Sequence, residues 1–158
     1  MRLIGDGGHA KVVREVHACM FDLFDDSYCF IAIGSNAARK REAESHSDTS
    51  FPVLAHPTAI IAPTLALGVG TIIMAGVIIQ PGVTIGKHVI LNTGCVVDHD
   101  CVIGDYVHIA PGAHLCGGVH VGEGSLVGVG VGIAPNTVIP CWSLVKAARL
   151  DIVPLSSS

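Results

Sequence analysis

From Ile61 to Val145 every sixth residue is Ile, Leu or Val: Ile61, Leu67, Ile73, Ile79, Ile85, Leu91, Val97, Ile103, Ile109, Leu115, Val121, Val127, Ile133, Ile139 and Val145. Four places after each aliphatic the residue is small or β-branched, as at Thr71, Val77, Val83, Val89, Cys95, Cys101, Val107, Ala113, Val119 and Ser125, with Leu65 the large exception. This six-residue period marks a parallel β-helix, in which each hexad forms a short flat face and a turn and three faces close one coil. The repeat predicts about five coils over Thr58 to Ala147, stacked at the interstrand spacing of about 4.8 Å. The sixth-residue aliphatics line the interior in ladders, and the second inward slot sits near a corner where only small groups fit. Gly and Asn recur near the corners, Gly68, Gly76, Gly94, Asn92 and Asn136 among them, and are expected to supply the backbone angles of tight turns.

The pattern changes upstream. Leu3-Ile4, then Gly5-Asp6-Gly7-Gly8-His9-Ala10-Lys11, then Val12, Val13, Val16 and Met20 at helical spacing read as strand, glycine turn and helix. Such a turn presents backbone N–H groups and a helix N-terminus to a phosphate. Cys29 to Ile33, Gly34-Ser35-Asn36 and an exposed, charged helix from Ala37 to Glu44 form a second unit, followed by a polar linker from Ser45 to Phe51. The fold class is therefore mainly β: a parallel β-helix of hexapeptide repeats behind a small, shortened α/β, Rossmann-like lobe. Residues 1–51 are assigned to the lobe and linker, and 52–158 to the β-helix with a C-terminal tail.

Composition narrows the classes of function. Charged residues are only 14% of the chain, and a formal charge of −4 with pI near 6.1 disfavours a nucleic-acid partner, which usually requires a basic patch. No apolar run reaches a membrane span and no signal-peptide pattern opens the chain, so a cytoplasmic protein without a membrane partner is expected. The six cysteines form no C-x-x-C pair and are read as reduced, structural or incidental thiols.

Four segments carry a resemblance: Gly5-Asp6-Gly7-Gly8-His9-Ala10-Lys11-Val12-Val13, Ile31-Ala32-Ile33-Gly34-Ser35-Asn36, Ala55-His56-Pro57, and Asn92-Thr93-Gly94-Cys95-Val96-Val97-Asp98-His99-Asp100-Cys101-Val102-Ile103-Gly104-Asp105. With them the chain resembles the bacterial sugar acyltransferases of the NeuD/PglD type, which include sialic acid O-acetyltransferases and nucleotide-amino-sugar N-acetyltransferases. The resemblance implies a left-handed helix, a homotrimer, and acetyl-CoA held between neighbouring subunits. It also implies a nucleotide-sugar partner bound at Gly7, Gly8, His9, Ser35 and Asn36, and CoA contacts at His108, Gly117 and Val129. The chain departs from the family in two places. Phe24-Asp25-Asp26 lies only two residues before the Cys29 strand, and the tail from Ala147 to Ser158 lacks the Gly-x-Pro-Ala segment that closes the CoA site.

His99 falls at a corner between Asp98 and Asp100. Acetyl transfer to an amine or hydroxyl needs a base as the thioester is attacked, and histidine titrates in the right range. His99 is the candidate base, and the resemblance assigns the orienting carboxylate to Asp100. Gly117, eighteen residues on, lies one coil above His99, where a free N–H can bond the thioester oxygen. His108, His114 and His120 recur six apart but fall on three different faces of the prism, so no metal site is expected. The reading is direct transfer from acetyl-CoA to the amino group of an amino sugar, nucleotide-linked. The alternatives are O-acetylation of a sialic or related sugar, and a non-catalytic solenoid with degenerate substrate sites.

Overall fold

The computed structural model describes residues 2–19 and 28–147. The acidic run Phe24-Asp25-Asp26, Met20 and the tail beyond Ala147 lie outside the described residues.

Among the described residues, Leu54 to Val145 form a triangular prism of two-residue strands arranged in three parallel sheets of six, five and five strands. The first sheet begins with Leu54–Ala55 and continues through Ile72–Ile73, Ile90–Leu91, His108–Ile109, Leu126–Val127 and Leu144–Val145. The second contains Ile78–Ile79, Val96–Val97 and His114–Leu115, and the third contains Thr84–Ile85, Val102–Ile103 and His120–Val121. Every pairing joins residues eighteen apart, as in Val96 with His114 and Val102 with His120. His108, His114 and His120 accordingly stand on three separate sheets.

Twelve of the fifteen ladder aliphatics, Ile73 through Ile139, are buried, and Ile61, Leu67 and Val145 cap the two ends half-buried. Each buried aliphatic contributes about 1.5–3 kcal/mol of transfer free energy. The second inward slot admits hydroxyls and thiols because the turn carbonyls beside it accept their protons. Thr71 Oγ1 donates to the Gly86 carbonyl at 2.9 Å, Ser125 Oγ to that of Pro140 at 2.7 Å and Cys101 Sγ to that of Cys116 at 3.2 Å.

The corners depart from the expectation in one respect. Gly76, Gly94 and Asn136 have left-handed φ, as a tight turn requires, but Gly68 and Asn92 do not. Gly68 is needed for close approach instead: a Cβ there would overlap the Gly86 carbonyl of the next coil. His88, Asp100, Tyr106 and Trp142 carry left-handed φ at corners without being glycine or asparagine.

The lobe consists of β1 (Arg2–Ile4), α1 (Gly8–Ala18), β2 (Cys29–Ile31) and α2 (Asn36–Ser45), with β1 and β2 paired in parallel. It is anchored on the outward side of the first sheet, where Leu54, Ile72 and Ile90 are apolar. They bury themselves against Ala10, Val13 and Val16 of α1 and Phe30 of β2. The corresponding rows of the other two sheets run Ile60, Ile78, Val96, His114, Gly132 and Ala66, Thr84, Val102, His120, Val138. Neither row contains an acidic residue, lysine or arginine, and Ile60 and Val138 are among the exposed members.

Candidate active site

His99 and Asp100 occupy the turn that carries the chain from the second sheet to the third, the corner opposite the face covered by the lobe. Asp98 Oδ1 accepts the His99 backbone N–H at 2.8 Å, which fixes the turn locally. Asp100, at φ 60°, turns its carboxylate back so that Oδ2 lies 2.9 Å from His99 Nδ1. The hydrogen bond to Asp100, and then the charge of Asp98, raise the His99 pKa above the ordinary histidine value. With Nδ1 donating to the carboxylate, the neutral ring keeps its lone pair on Nε2.

Gly117 lies against this ring from the next coil. The Gly118 N–H donates to the His99 carbonyl at 2.9 Å, locking the two turns in register. A Cβ on Gly117 would stand 2.5 Å from His99 Cε1 and 2.6 Å from Nε2, so only glycine leaves the ring in place. The Gly117 N–H has no hydrogen-bond partner among the described residues. The His99–Asp100 pair forms one side of a cleft of about 380 Å³, with Cys116, Gly117 and Gly118 beside it and Pro135 and Asn136 beyond. Val129 is exposed at a different corner, between the first and second sheets.

A second hollow, of about 260 Å³, lies in the lobe between Gly5–His9 and Ala32–Gly34. Gly7 caps α1 and Gly8 begins it, and beyond the adjoining backbone no atom comes within 4 Å of where a Cβ on either would lie. The backbone there is approachable by a ligand. The His9 ring packs on Gly34 and meets His108 edge-on, with centroids 5.3 Å apart. His108 Nε2 is 3.1 Å from the Asn92 amide nitrogen. Burial, then the Arg39 charge, push the His108 pKa down to about 4 and lower that of His9. His108 is thus a buried, neutral ring at the junction of lobe and prism, outside the His99 cleft. Ser35 caps α2, accepting the Ala38 N–H at 3.4 Å. The Asn36 amide gives its hydrogens to the Gly124 and Ser125 carbonyls at 3.0 and 3.1 Å. Neither Ser35 nor Asn36 lines the lobe hollow.

The expectation of an exposed second helix is overturned at Arg39, which is 1% exposed, and at Ala43, 7% exposed. Arg39 Nε donates to the His88 carbonyl at 2.8 Å and Nη2 to that of Tyr106 at 2.7 Å. Its other nitrogen, Nη1, reaches the Ile33 carbonyl at 2.9 Å. Loss of water lowers its pKa only to about 10, so the guanidinium stays charged at neutral pH and ties two coils to the end of β2. Nothing in the polar sequence of α2 pointed to this residue, because the helix has no apolar stripe to announce a buried side.

The six cysteines are free. Burial pushes the Cys95 thiol up to about 12, whereas Cys116 is exposed. Among the described residues no three His, Cys, Asp or Glu side chains form a metal-ligating group.

A parallel β-helix built on hexads, with a histidine–carboxylate pair at one corner, defines a hexapeptide-repeat protein. Residues 100–135 match the family described as bacterial transferase hexapeptide (six repeats). UDP-N-acetylbacillosamine N-acetyltransferase of Bacillus subtilis (strain 168) is 38% identical, over 46% of this chain and 50% of that protein. The chain thus spans about half the length of this curated relative. The acetyltransferase domain of PglB from Neisseria gonorrhoeae FA1090, in complex with acetyl coenzyme A, superposes with TM-score 0.87 at 30% identity, covering 96% of this chain and 89% of that one. PerB from Caulobacter crescentus, in complex with CoA and GDP-perosamine, gives TM-score 0.86 at 36% identity, covering 92% and 84%. The chain belongs to the hexapeptide-repeat sugar acyltransferase family of the NeuD/PglD type.

Proposed function

We propose that this chain transfers an acetyl group from acetyl-CoA to the amino group of a nucleotide-linked amino sugar, with His99 as general base. The observation that carries the reading is the His99–Asp100 pair set against the bare Gly117 in a cleft open to solvent. The relatives bound to acetyl-CoA, or to CoA with GDP-perosamine, support the two substrates.

In this reading the sugar amine attacks the thioester carbonyl while His99 Nε2 takes its proton. The C–N bond forms, the C–S bond breaks, and the proton passes to the departing CoA thiolate. Asp100 holds the ring by Nδ1 and favours the imidazolium that forms. The Gly117 N–H faces the oxygen on which negative charge develops. No enzyme nucleophile takes part.

The lobe hollow fits the phosphates of the sugar nucleotide, with Gly7 and Gly8 exposing the start of α1. His99 stands at the corner away from the lobe of its own chain, so acceptor and base meet only if a second subunit brings its lobe to this corner. A closed homotrimer of cytoplasmic subunits, packed through the two sheet faces that lack charge, satisfies this.

The test measures acetyl-CoA consumption against nucleoside-diphosphate amino sugars and free sialic acids. N-acetylation of a sugar nucleotide is expected, whereas turnover confined to sugar hydroxyls overturns the assignment. A folded protein that turns over neither class supports a non-catalytic solenoid.

A further inference from the structure

We propose that Gly82, one coil below the His99–Asp100 pair, is a positioning residue for it: a bare Cα there lets the Asp100 carboxylate lie where it holds His99 Nδ1. This rests on His99 being the base.

Gly82 precedes Asp100 by eighteen residues, and the two turns are tied by the Asp100 N–H donating to the Pro81 carbonyl at 3.2 Å. A Cβ on Gly82 would overlap Asp100 Oδ1, with Asp100 Cγ 3.3 Å and its backbone N 3.4 Å away. The backbone above cannot give way easily, because Asp100 is held to Pro81 and Val102 donates to the Val119 carbonyl at 2.9 Å. Relief comes from turning the Asp100 side chain. Its two oxygens move as one rigid group, so displacing Oδ1 takes Oδ2 away from Nδ1. The pair therefore has two glycine seats: the ring rests on Gly117 from the coil above and the carboxylate on Gly82 from the coil below.

Backbone conformation alone does not account for Gly82. Its φ of 77° favours glycine, but so does the 68° of Gly76, where a Cβ would meet nothing closer than 3.9 Å. Gly76 is thus a control for backbone strain without the side-chain overlap. Among the described residues, the titratable groups facing His99 are Asp98 and Asp100 on its own turn and Cys116 on the coil above. The coil below presents Gln80, Pro81 and Gly82, none of which titrates.

The experiment compares kcat/KM against pH for Gly82→Ala, Gly76→Ala, Asp100→Asn and the Gly82→Ala/Asp100→Asn double variant. Gly82→Ala is expected to lose about tenfold or more and to shift its acid limb to lower pH, as the hydrogen bond raising the His99 pKa is lost. Gly76→Ala keeps the rate and limb of the wild type, and the double variant is no slower than Asp100→Asn alone. If Gly82→Ala melts below the assay temperature, Gly82→Asn replaces it, since Asn136 occupies the same corner column at φ 58°. Gly82 variants with a wild-type rate and acid limb overturn the proposal. So does a double variant whose loss is the product of the single losses. His99→Ala with wild-type turnover removes the base assignment itself, whereas an inactive His99→Ala beside an unimpaired Gly82→Ala overturns this proposal alone.

Discussion

The Gly117 Cα lies against the His99 imidazole, close enough that a single added methyl would stand 2.6 Å from Nε2, the nitrogen with the free lone pair. The ring is therefore held by a hydrogen bond on Nδ1 and a backbone surface from the next coil.

Gly117→Ala should consequently leave the prism folded and lower kcat by about tenfold or more, because the ring must leave its place. Steady-state rates beside circular dichroism and melting curves check this. A fully active Gly117→Ala protein would show that the ring does not need that surface.

His99→Ala should lower kcat by about 10²–10⁴-fold with little change in the KM for acetyl-CoA, since a general base acts in the transition state. Asp100→Asn should give an intermediate loss. The carboxylates raise the His99 pKa, so the wild-type acid limb of kcat/KM should lie above the usual histidine value, and Asp100→Asn should move it down. An acid limb unmoved in Asp100→Asn would detach that carboxylate from the base.

Arg39→Met should destabilise the junction of lobe and prism by about 3 kcal/mol, because the His88, Tyr106 and Ile33 carbonyls lose a charged donor. Limited proteolysis is the readout. Faster cleavage between α2 and the first coil, with the prism left as a resistant fragment, is expected, and an unchanged cleavage pattern would count against the tie.

Leu115→Ala removes most of a ladder side chain that is 1% exposed, in the middle of the stack. It should cost about 2–5 kcal/mol, measured by urea unfolding, while Leu67→Ala at the open end of the prism should cost less. Equal losses at the two positions would mean that the interior is not a continuous ladder.

Acid should weaken the fold through two buried histidines. Burial, then the Arg39 charge, lower His88 and His108 to about 4, below the value of 6.5 for an unperturbed ring. In this window the unfolded chain binds more protons than the folded one. Their contribution is complete above about pH 6.5 and is lost as pH falls toward 4, by at most about 1.4 kcal/mol per pH unit for each ring. His88→Gln and His108→Gln should each flatten the melting temperature against pH between those values. Parallel curves for wild type and both variants would place the acid sensitivity elsewhere.

The prism was legible because a period of six with one inward aliphatic allows few other solutions, and the register of eighteen follows by arithmetic. The same arithmetic sets Gly117 beside His99, and the flanking carboxylates distinguish this histidine from the others on the prism. Three things were not legible. Arg39 looked like one more solvated cation, because what buries it is the array of carbonyls on His88, Tyr106 and Ile33, and carbonyls leave no mark in a sequence. The left-handed turns at His88, Tyr106 and Trp142 were hidden because their rings can stack or pack along one corner, as His88 and Tyr106 do at 5.6 Å. The burial of the His108 ring against His9 depends on where the lobe docks, which the six-residue period does not encode.

Because each strand bonds to the one eighteen residues away, the chain has a length grammar. Losing or gaining one residue inside a strand would reverse the inward and outward positions of that face, whereas a residue added in a turn would be absorbed as a surface bulge that leaves the later strands in register. A whole extra coil would be absorbed without an unpaired strand. Inserted between Asp100 and Gly117, however, it would put a new residue against the imidazole and carry the glycine one storey away, giving a protein that folds as before and has lost the surface on which its histidine rests.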